Sequence, residues 1–254
     1  MEANSRYYAS FSMAVFSSLY CANDLLSYEI RRRTKVFLTL SLFDEPPAPY
    51  QGPEPIAPGA VLLPGFSLDQ TQALIKAVQQ VIVTAPFRHL TTPGGRAMSV
   101  GMTNCGTLGW TSGRMGYRYS STDPLTSQPW PPMPACFADL ALRAAAEAGF
   151  DHFRPDACLI NRYEPGARMS LHQDRDESDL SAPIVSVSLG LPAVFLFGGL
   201  QRGDRPIRLR LAHGDAVVWG GASRLAFHGV APLADGEHPR LGGQRINLTF
   251  RRAG

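Results

Sequence analysis

Four cysteines in 254 residues, none of them in a C-x-x-C pair, are too few and too scattered for a disulfide framework or a cysteine-held zinc site. Cys21, Cys105, Cys136 and Cys158 suit a reducing compartment instead, so a cytoplasmic protein is expected. No apolar run approaches the roughly 20 residues of a membrane span, and no membrane partner is expected. A secretory leader is not expected either. Arg31-Arg32-Arg33 follows the broken apolar stretch rather than preceding it. Charged residues make up only 18% and balance to +3, which permits an anionic partner without demanding one. Internal repeats are absent. What is present is 44% hydrophobic residues, enough for one sizeable core, together with 24 Gly and 21 Pro, which favour many short strands joined by turns.

Residues 1–41 carry no clean periodicity and read as an extension, either disordered or upstream of a mis-called start. Residues 42–58, with Pro46-Pro47-Ala48-Pro49 and Gly52-Pro53-Glu54-Pro55, read as a stiff, extended linker. Ala60–Leu63 is a short strand. Ser67 and Gln70 have the spacing of a capping box, and Leu74, Ile75, Val78 and Ile82 recur at helical period, so a helix is expected over 68–83. A second helix is expected over 134–148, stopped by Gly149. Between them, 91–131 is rich in Gly, Ser, Thr and Pro yet holds Trp110, Tyr117, Tyr119 and Trp130. Such a segment reads as an ordered lid over a binding cleft. From 156 onward short strands follow one another, at 157–163, 184–190, 193–197, 207–211, 215–219 and 245–251, the pattern of a sandwich or barrel.

The chemistry concentrates in that second half. In Leu171-His172-Gln173-Asp174-Arg175-Asp176, His172 and Asp174 share a face if the segment is a strand. One imidazole, one carboxylate and a distal His form the set that holds non-haem Fe(II) with open positions, and His228 is the candidate. A rival H-x-D, His213-Gly214-Asp215, leaves only a dozen residues before His228, and its Gly suggests a tight turn with Asp215 as a turn residue. In the last strand, Arg245, Asn247 and Arg251 fall on one face and Ile246, Leu248 and Phe250 on the other. Exposed arginines are the bland reading. A clamp for a dicarboxylate is the sharper one, because guanidinium pairs bidentately with carboxylate. Asn161 and Tyr163 share a face of the strand before His172 and are candidates for the same ligand. The loop from Gln201 to Arg205, with Arg208 and Arg210, is basic, which suits a solvated turn or contact with phosphates.

Thr103-Asn104-Cys105-Gly106, Leu108-Gly109-Trp110, Cys158-Leu159-Ile160-Asn161-Arg162-Tyr163-Glu164-Pro165-Gly166, Leu171-His172-Gln173-Asp174, Ser186-Val187-Ser188-Leu189-Gly190, His213-Gly214-Asp215 and Asn247-Leu248-Thr249-Phe250-Arg251 together resemble the bacterial AlkB alkylation-repair dioxygenases, over roughly 55–254. The resemblance implies a mainly β fold with flanking helices. It implies an N-terminal helix and nucleotide-recognition lid at 59–133 and a double-stranded β-helix (jelly-roll) dioxygenase core at 134–254. It implies Fe(II) on His172, Asp174 and His228, and 2-oxoglutarate on Asn161, Tyr163, Arg245, Asn247 and Arg251, with O2 as the other co-substrate. Trp110, Tyr117 and Arg202 would contact substrate, and Asp176, counted among the catalytic residues, would lie beside the base. The implied reaction is oxidative demethylation of 1-methyladenine and 3-methylcytosine, releasing formaldehyde, succinate and CO2. The implied partner is single-stranded DNA, with RNA and double-stranded DNA as alternatives, and the protein is expected to be a monomer. Ile246 departs from relatives that carry Tyr there, and a packing change is expected. A hydroxylase of the same fold acting on a protein or small molecule is the rival enzyme reading, and a silent binding module the non-enzymatic one.

Overall fold

The computed structural model describes residues 50–254. The expected extension at 1–41 and the first part of the linker lie outside the described residues. The strands are β1 (Glu54–Ala57), β2 (Ala60–Leu63), β3 (Arg88–Thr91), β4 (Ala97–Gly106), β5 (Gly109–Gly113), β6 (Gly116–Ser120), β7 (Ala157–Tyr163), β8 (Met169–His172), β9 (Ile184–Gly190), β10 (Ala193–Phe197), β11 (Ile207–Leu211), β12 (Ala216–Trp219), β13 (His228–Val230) and β14 (Arg245–Arg251). The helices are α1 (Thr71–Thr84) and α2 (Ala135–Glu147). A large sheet runs in the order β1-β2-β12-β9-β14-β7-β4-β3, a small one in the order β11-β10-β13-β8, and β5 with β6 forms a separate hairpin.

Alternation along the strands assigns the two faces of the large sheet. Ile246, Leu248 and Phe250 of β14 join Leu74, Val78 and Val81 of α1 and Phe137, Leu140 and Ala144 of α2 in one buried cluster. Phe137 meets Phe250 edge to face at 5.9 Å. Burying such a side chain is worth about 1.5–3 kcal/mol, which is what holds the helices on that face. A second cluster fills the space between the sheets, with Leu159, Val217 and Trp219 from the large sheet and Phe195, Phe197, Leu211 and Val230 from the small one. Ile246 belongs to the helix-side cluster and is away from the arginines of its own strand.

The expected strands at 157–163, 184–190, 193–197, 207–211 and 245–251 appear with those bounds, and 215–219 appears as β12. Other expectations are corrected. Ser67 makes no helix cap. It is fully buried, and its hydroxyl donates to the carbonyl of Gly214, 3.0 Å away, so a tertiary bond displaces the local one. Leu68–Gln70 is a 3-10 turn and the α-helix starts at Thr71. The end of the Pro-rich linker is β1, paired with β2. Residues 59–133 do not stand apart as helix and lid, because β2, β3 and β4 are strands of the large sheet. What stands apart from that sheet is narrower, the β5–β6 hairpin. Asn104 of β4 anchors it, its side chain bonding both the N–H and the carbonyl of Trp110 at 3.0 Å. Gly109 is required there, since a Cβ would run into the indole of Trp130.

A candidate metal and cosubstrate site

A cleft of about 1110 Å³ opens between the two sheets and under the hairpin. His172 ends β8, and His228 begins β13 as its direct cross-strand partner, which brings the two rings to 4.4 Å between centroids. Asp174 is not on the strand with His172, as the alternation argument expected. β8 stops at His172, and Asp174 lies in the segment beyond it. Three hydrogen bonds from two guanidiniums fix it there. Arg251 donates from Nε (2.9 Å) and Nη2 (2.6 Å) to Oδ2, and Arg224 Nη1 donates to its main-chain carbonyl (2.8 Å). His172 Nε2 lies 3.6 Å from Asp174 Oδ1, and His228 Nε2 lies 3.7 Å from Oδ2.

Both imidazoles face Asp174 with Nε2 because their Nδ1 atoms are occupied. His172 Nδ1 sits 2.9 Å from the Ser170 carbonyl, and His228 Nδ1 sits 3.0 Å from that of Ala226. A carbonyl only accepts, so each Nδ1 carries a proton and Nε2 is the nitrogen left to bind a metal. Burial, with the neighbouring His172, pushes His228 down to about 4, so its ring is neutral at physiological pH. Burial alone would raise Asp174, but the Arg251 guanidinium overrides it and holds the carboxyl well below its usual range. The ligand atoms of His172, Asp174 and His228 all lie within 4.8 Å of one another, close enough for one ion. Two imidazole nitrogens and one carboxylate suit Fe(II) and leave coordination positions free.

The cosubstrate side of the cleft carries unspent polar atoms. Arg245 is 1% exposed, donates from Nη2 to Ser188 Oγ (3.0 Å), and leaves Nε and Nη1 without a partner. Asn161 Oδ1 and Trp219 Nε1 are likewise buried and unpartnered, and all three residues line the cleft. Burial pushes Arg245 down to about 10. A buried cation with two idle donors is costly unless an anion completes it, so the chain fits a carboxylate ligand such as 2-oxoglutarate here. Tyr163 is buried beside it, its phenol pushed up to about 12 by desolvation. Asn247 lines the cleft, but its amide is spent within the protein: Nδ2 donates to Ser186 Oγ and the Val187 carbonyl, and Oδ1 accepts from Thr249.

The rival motif has a structural use. Asp215 accepts from the N–H groups of Gly65 and Ala212, and His213 Nδ1 accepts from Gly190 N–H. At the mouth of the cleft Trp110 and Tyr117 stack at 5.3 Å with planes 20° apart. The Trp110 indole donates to Asp176 Oδ2 (2.9 Å). Arg202 lies over the Phe227 ring and donates to the Leu171 carbonyl (3.1 Å). The other two named aromatics of 91–131 hold the hairpin: Trp130 Nε1 donates to the Ser120 carbonyl, and Tyr119 donates to Glu177. Glu177 and Arg224 escaped the sequence reading. A lone Glu three residues past Asp174 and an Arg just after the 3-10 turn Gly221–Ser223 carry no pattern that marks them.

The family profile of the 2OG-Fe(II) oxygenase superfamily matches residues 59–251. The alpha-ketoglutarate-dependent dioxygenase AlkB of Escherichia coli (strain K12) is 60% identical over 201 residues, covering 79% of this chain and 93% of that protein. The chain belongs to the bacterial AlkB family of 2OG-Fe(II) oxygenases. An AlkB homolog of Caulobacter vibrioides (strain NA1000 / CB15N) is 46% identical over 203 residues, 79% of this chain and 90% of that one. The solved structure of OsALKBH1 superposes with a TM-score of 0.70 at 29% identity, over 79% of this chain and 99% of that one. This AlkB-family chain is therefore an Fe(II)- and 2-oxoglutarate-dependent dioxygenase with a jelly-roll core. Among the described residues no helix is long and apolar enough to cross a membrane.

Proposed function

We propose that the protein oxidatively demethylates alkylated nucleic-acid bases, with 1-methyladenine and 3-methylcytosine in single-stranded DNA as its first substrates. The observation that carries this reading is that one cleft holds both the His172, Asp174, His228 group and the Trp110–Tyr117 pair with Asp176. An aromatic pair of that kind grips the face of a flat base, and stacking is worth about 1–3 kcal/mol per base. Both lesions are cationic. The Asp176 carboxylate favours a nearby positive charge, and aromatic faces favour it further. The methylated atom lies on the pairing edge, so the base enters the cleft extruded from its strand.

Within the site each residue has a distinct task. His172, Asp174 and His228 would hold the metal, and Arg251 keeps Asp174 ionised and aimed. Arg245, with Tyr163 and Asn161, would bind and orient the far end of 2-oxoglutarate. Asn247 braces β14 against β9 beneath it. Arg202 stands at the rim, where it would meet the strand's phosphates. Bound Fe(II) and 2-oxoglutarate supply O2-dependent hydroxylation of a C–H bond, with succinate and CO2 released. Hydroxylation of the N-methyl carbon then releases formaldehyde and the restored base. A place in the reducing cytoplasm fits the free Cys105, Cys136 and Cys158.

The decisive experiment incubates the protein with Fe(II), 2-oxoglutarate and oligonucleotides bearing 1-methyladenine, single- and double-stranded, DNA and RNA. Formaldehyde and the mass loss of one methylene are expected, most strongly with single-stranded DNA. Succinate without either product would refute the demethylation reading.

A further inference from the structure

Asp176 and Glu177 are consecutive residues, two and three positions beyond the metal-ligand Asp174. Each receives one hydrogen bond from the recognition hairpin. Trp110 Nε1 donates to Asp176 Oδ2 (2.9 Å), and Tyr119 Oη donates to Glu177 Oε1 (2.7 Å). The two donors are not independent. Trp110 of β5 and Tyr119 of β6 are direct cross-strand partners and so share one face of the hairpin. The hairpin is thereby fastened at two adjacent points to the segment that carries the metal-ligand carboxylate.

The second fastening runs deeper than the first. The Glu177 side chain is 2% exposed, and it bridges the two arginines that hold Asp174. Its Oε2 accepts from Arg224 Nη2 (3.1 Å), and its Oε1 lies 3.2 Å from Arg251 Nε. Arg224 in turn holds the main-chain carbonyl of Asp174, and Arg251 its carboxylate. Two carboxylates and two guanidiniums balance in charge, so the quartet tolerates burial only while it is complete. Among the described residues the Tyr119 hydroxyl makes the one hydrogen bond by which the hairpin enters it. Tyr119 does not line the cleft, and its hydroxyl is spent on Glu177.

We propose that Tyr119 and Glu177 are positioning residues that couple engagement of the recognition hairpin to the placement of Asp174 and Arg251. A base gripped by Trp110 and Tyr117 fixes the hairpin, the Tyr119–Glu177 bond fixes Arg251, and Arg251 fixes the carboxylate that faces the metal. The coupling is reciprocal: a filled metal and 2-oxoglutarate site favours the hairpin position that grips the base. The inference rests on the nucleic-acid reading given above for the identity of what the hairpin grips.

The test measures 2-oxoglutarate affinity of the Co(II)-loaded full chain by its visible absorption, with and without a single-stranded oligonucleotide bearing 1-methyladenine. In the wild type the oligonucleotide should tighten 2-oxoglutarate binding at least about fivefold, the lower end of common coupling. Tyr119→Phe, which removes one oxygen, should bring that factor to within about twofold of unity. General loosening would shift both affinities together and leave their ratio alone. Glu177→Gln keeps an acceptor for Tyr119 but removes the charge between the arginines, and should weaken Co(II) binding about tenfold or more. A wild-type ratio of one, or an unchanged ratio in Tyr119→Phe, overturns the coupling. Formaldehyde release by the Fe(II)-loaded wild type on the same oligonucleotide separates the two claims. Release with an unchanged ratio sinks the coupling alone, and no release sinks the demethylation reading and the coupling with it.

Discussion

Arg245 offers a perturbation with opposite signs in stability and function. Its guanidinium is buried and its Nε and Nη1 lack partners. The fall from 12.5 to about 10 corresponds to ~3 kcal/mol against the charged form when no anion is bound. The folded value lies below the unfolded one, so this cost is present in full below about pH 10 and is relieved only as pH rises from there toward 12.5. Arg245→Met, a volume-conserving apolar change, should therefore stabilise the ligand-free protein by about 1–3 kcal/mol. At roughly 3 °C per kcal/mol for a domain of this size, the melting temperature should rise by about 3–9 °C. The same change removes a buried partner of the 2-oxoglutarate carboxylate, at about 2–5 kcal/mol, or some 30-fold or more in affinity. Thermal melts of chelator-washed protein, repeated with Co(II) and 2-oxoglutarate, read both effects. The wild type should gain stability from the ligand and the variant should gain almost none at the same concentration. A variant that melts lower than the wild type without ligand, or that keeps the ligand-induced shift, would show that Arg245 is not held in reserve for an anion.

Other expectations are more local. Asp174→Asn should abolish metal-dependent succinate release while the protein still melts cooperatively; retained release would remove Asp174 from the ligand set. Trp110→Ala should weaken methylated-oligonucleotide binding by about 1–3 kcal/mol, some 5- to 150-fold, with little change in 2-oxoglutarate consumption without substrate. An equal loss of both would make Trp110 a packing residue. Burial, with the adjacent His238, holds His213 down to about 4 from 6.5. The unfolded chain then binds the extra proton in that window, so the stability His213 contributes is complete above about pH 6.5 and is lost as pH falls toward 4. His213→Asn keeps an acceptor for Gly190 N–H and cannot titrate. Denaturant midpoints at about pH 7 and pH 5 should fall more for the wild type than for this variant, and equal falls would contradict the assignment.

Period-two alternation determined by itself which side of β14 faces the core and which faces the cleft, because Ile246, Leu248 and Phe250 have nowhere else to be buried. Helical period did the same for α1 and α2, and chain spacing separated His172 and Asp174 from the turn motif at His213 and Asp215. The lid was legible only as aromatics in a polar, glycine-rich stretch. β4 and the β5–β6 hairpin were not, since there Asn104, Gly109 and Trp130 do work that depends on partners far along the chain. Only the tertiary structure decided that Asp174 leaves the strand of His172, that Arg251 serves that carboxylate, and that Asn247 braces the sheet. It also decided that Tyr119 reaches Glu177. Each of these rests on buried charge and hydrogen bonding across dozens of residues. Local sequence constrains where a side chain points, but only the packed neighbours determine which opposite charge it finds there.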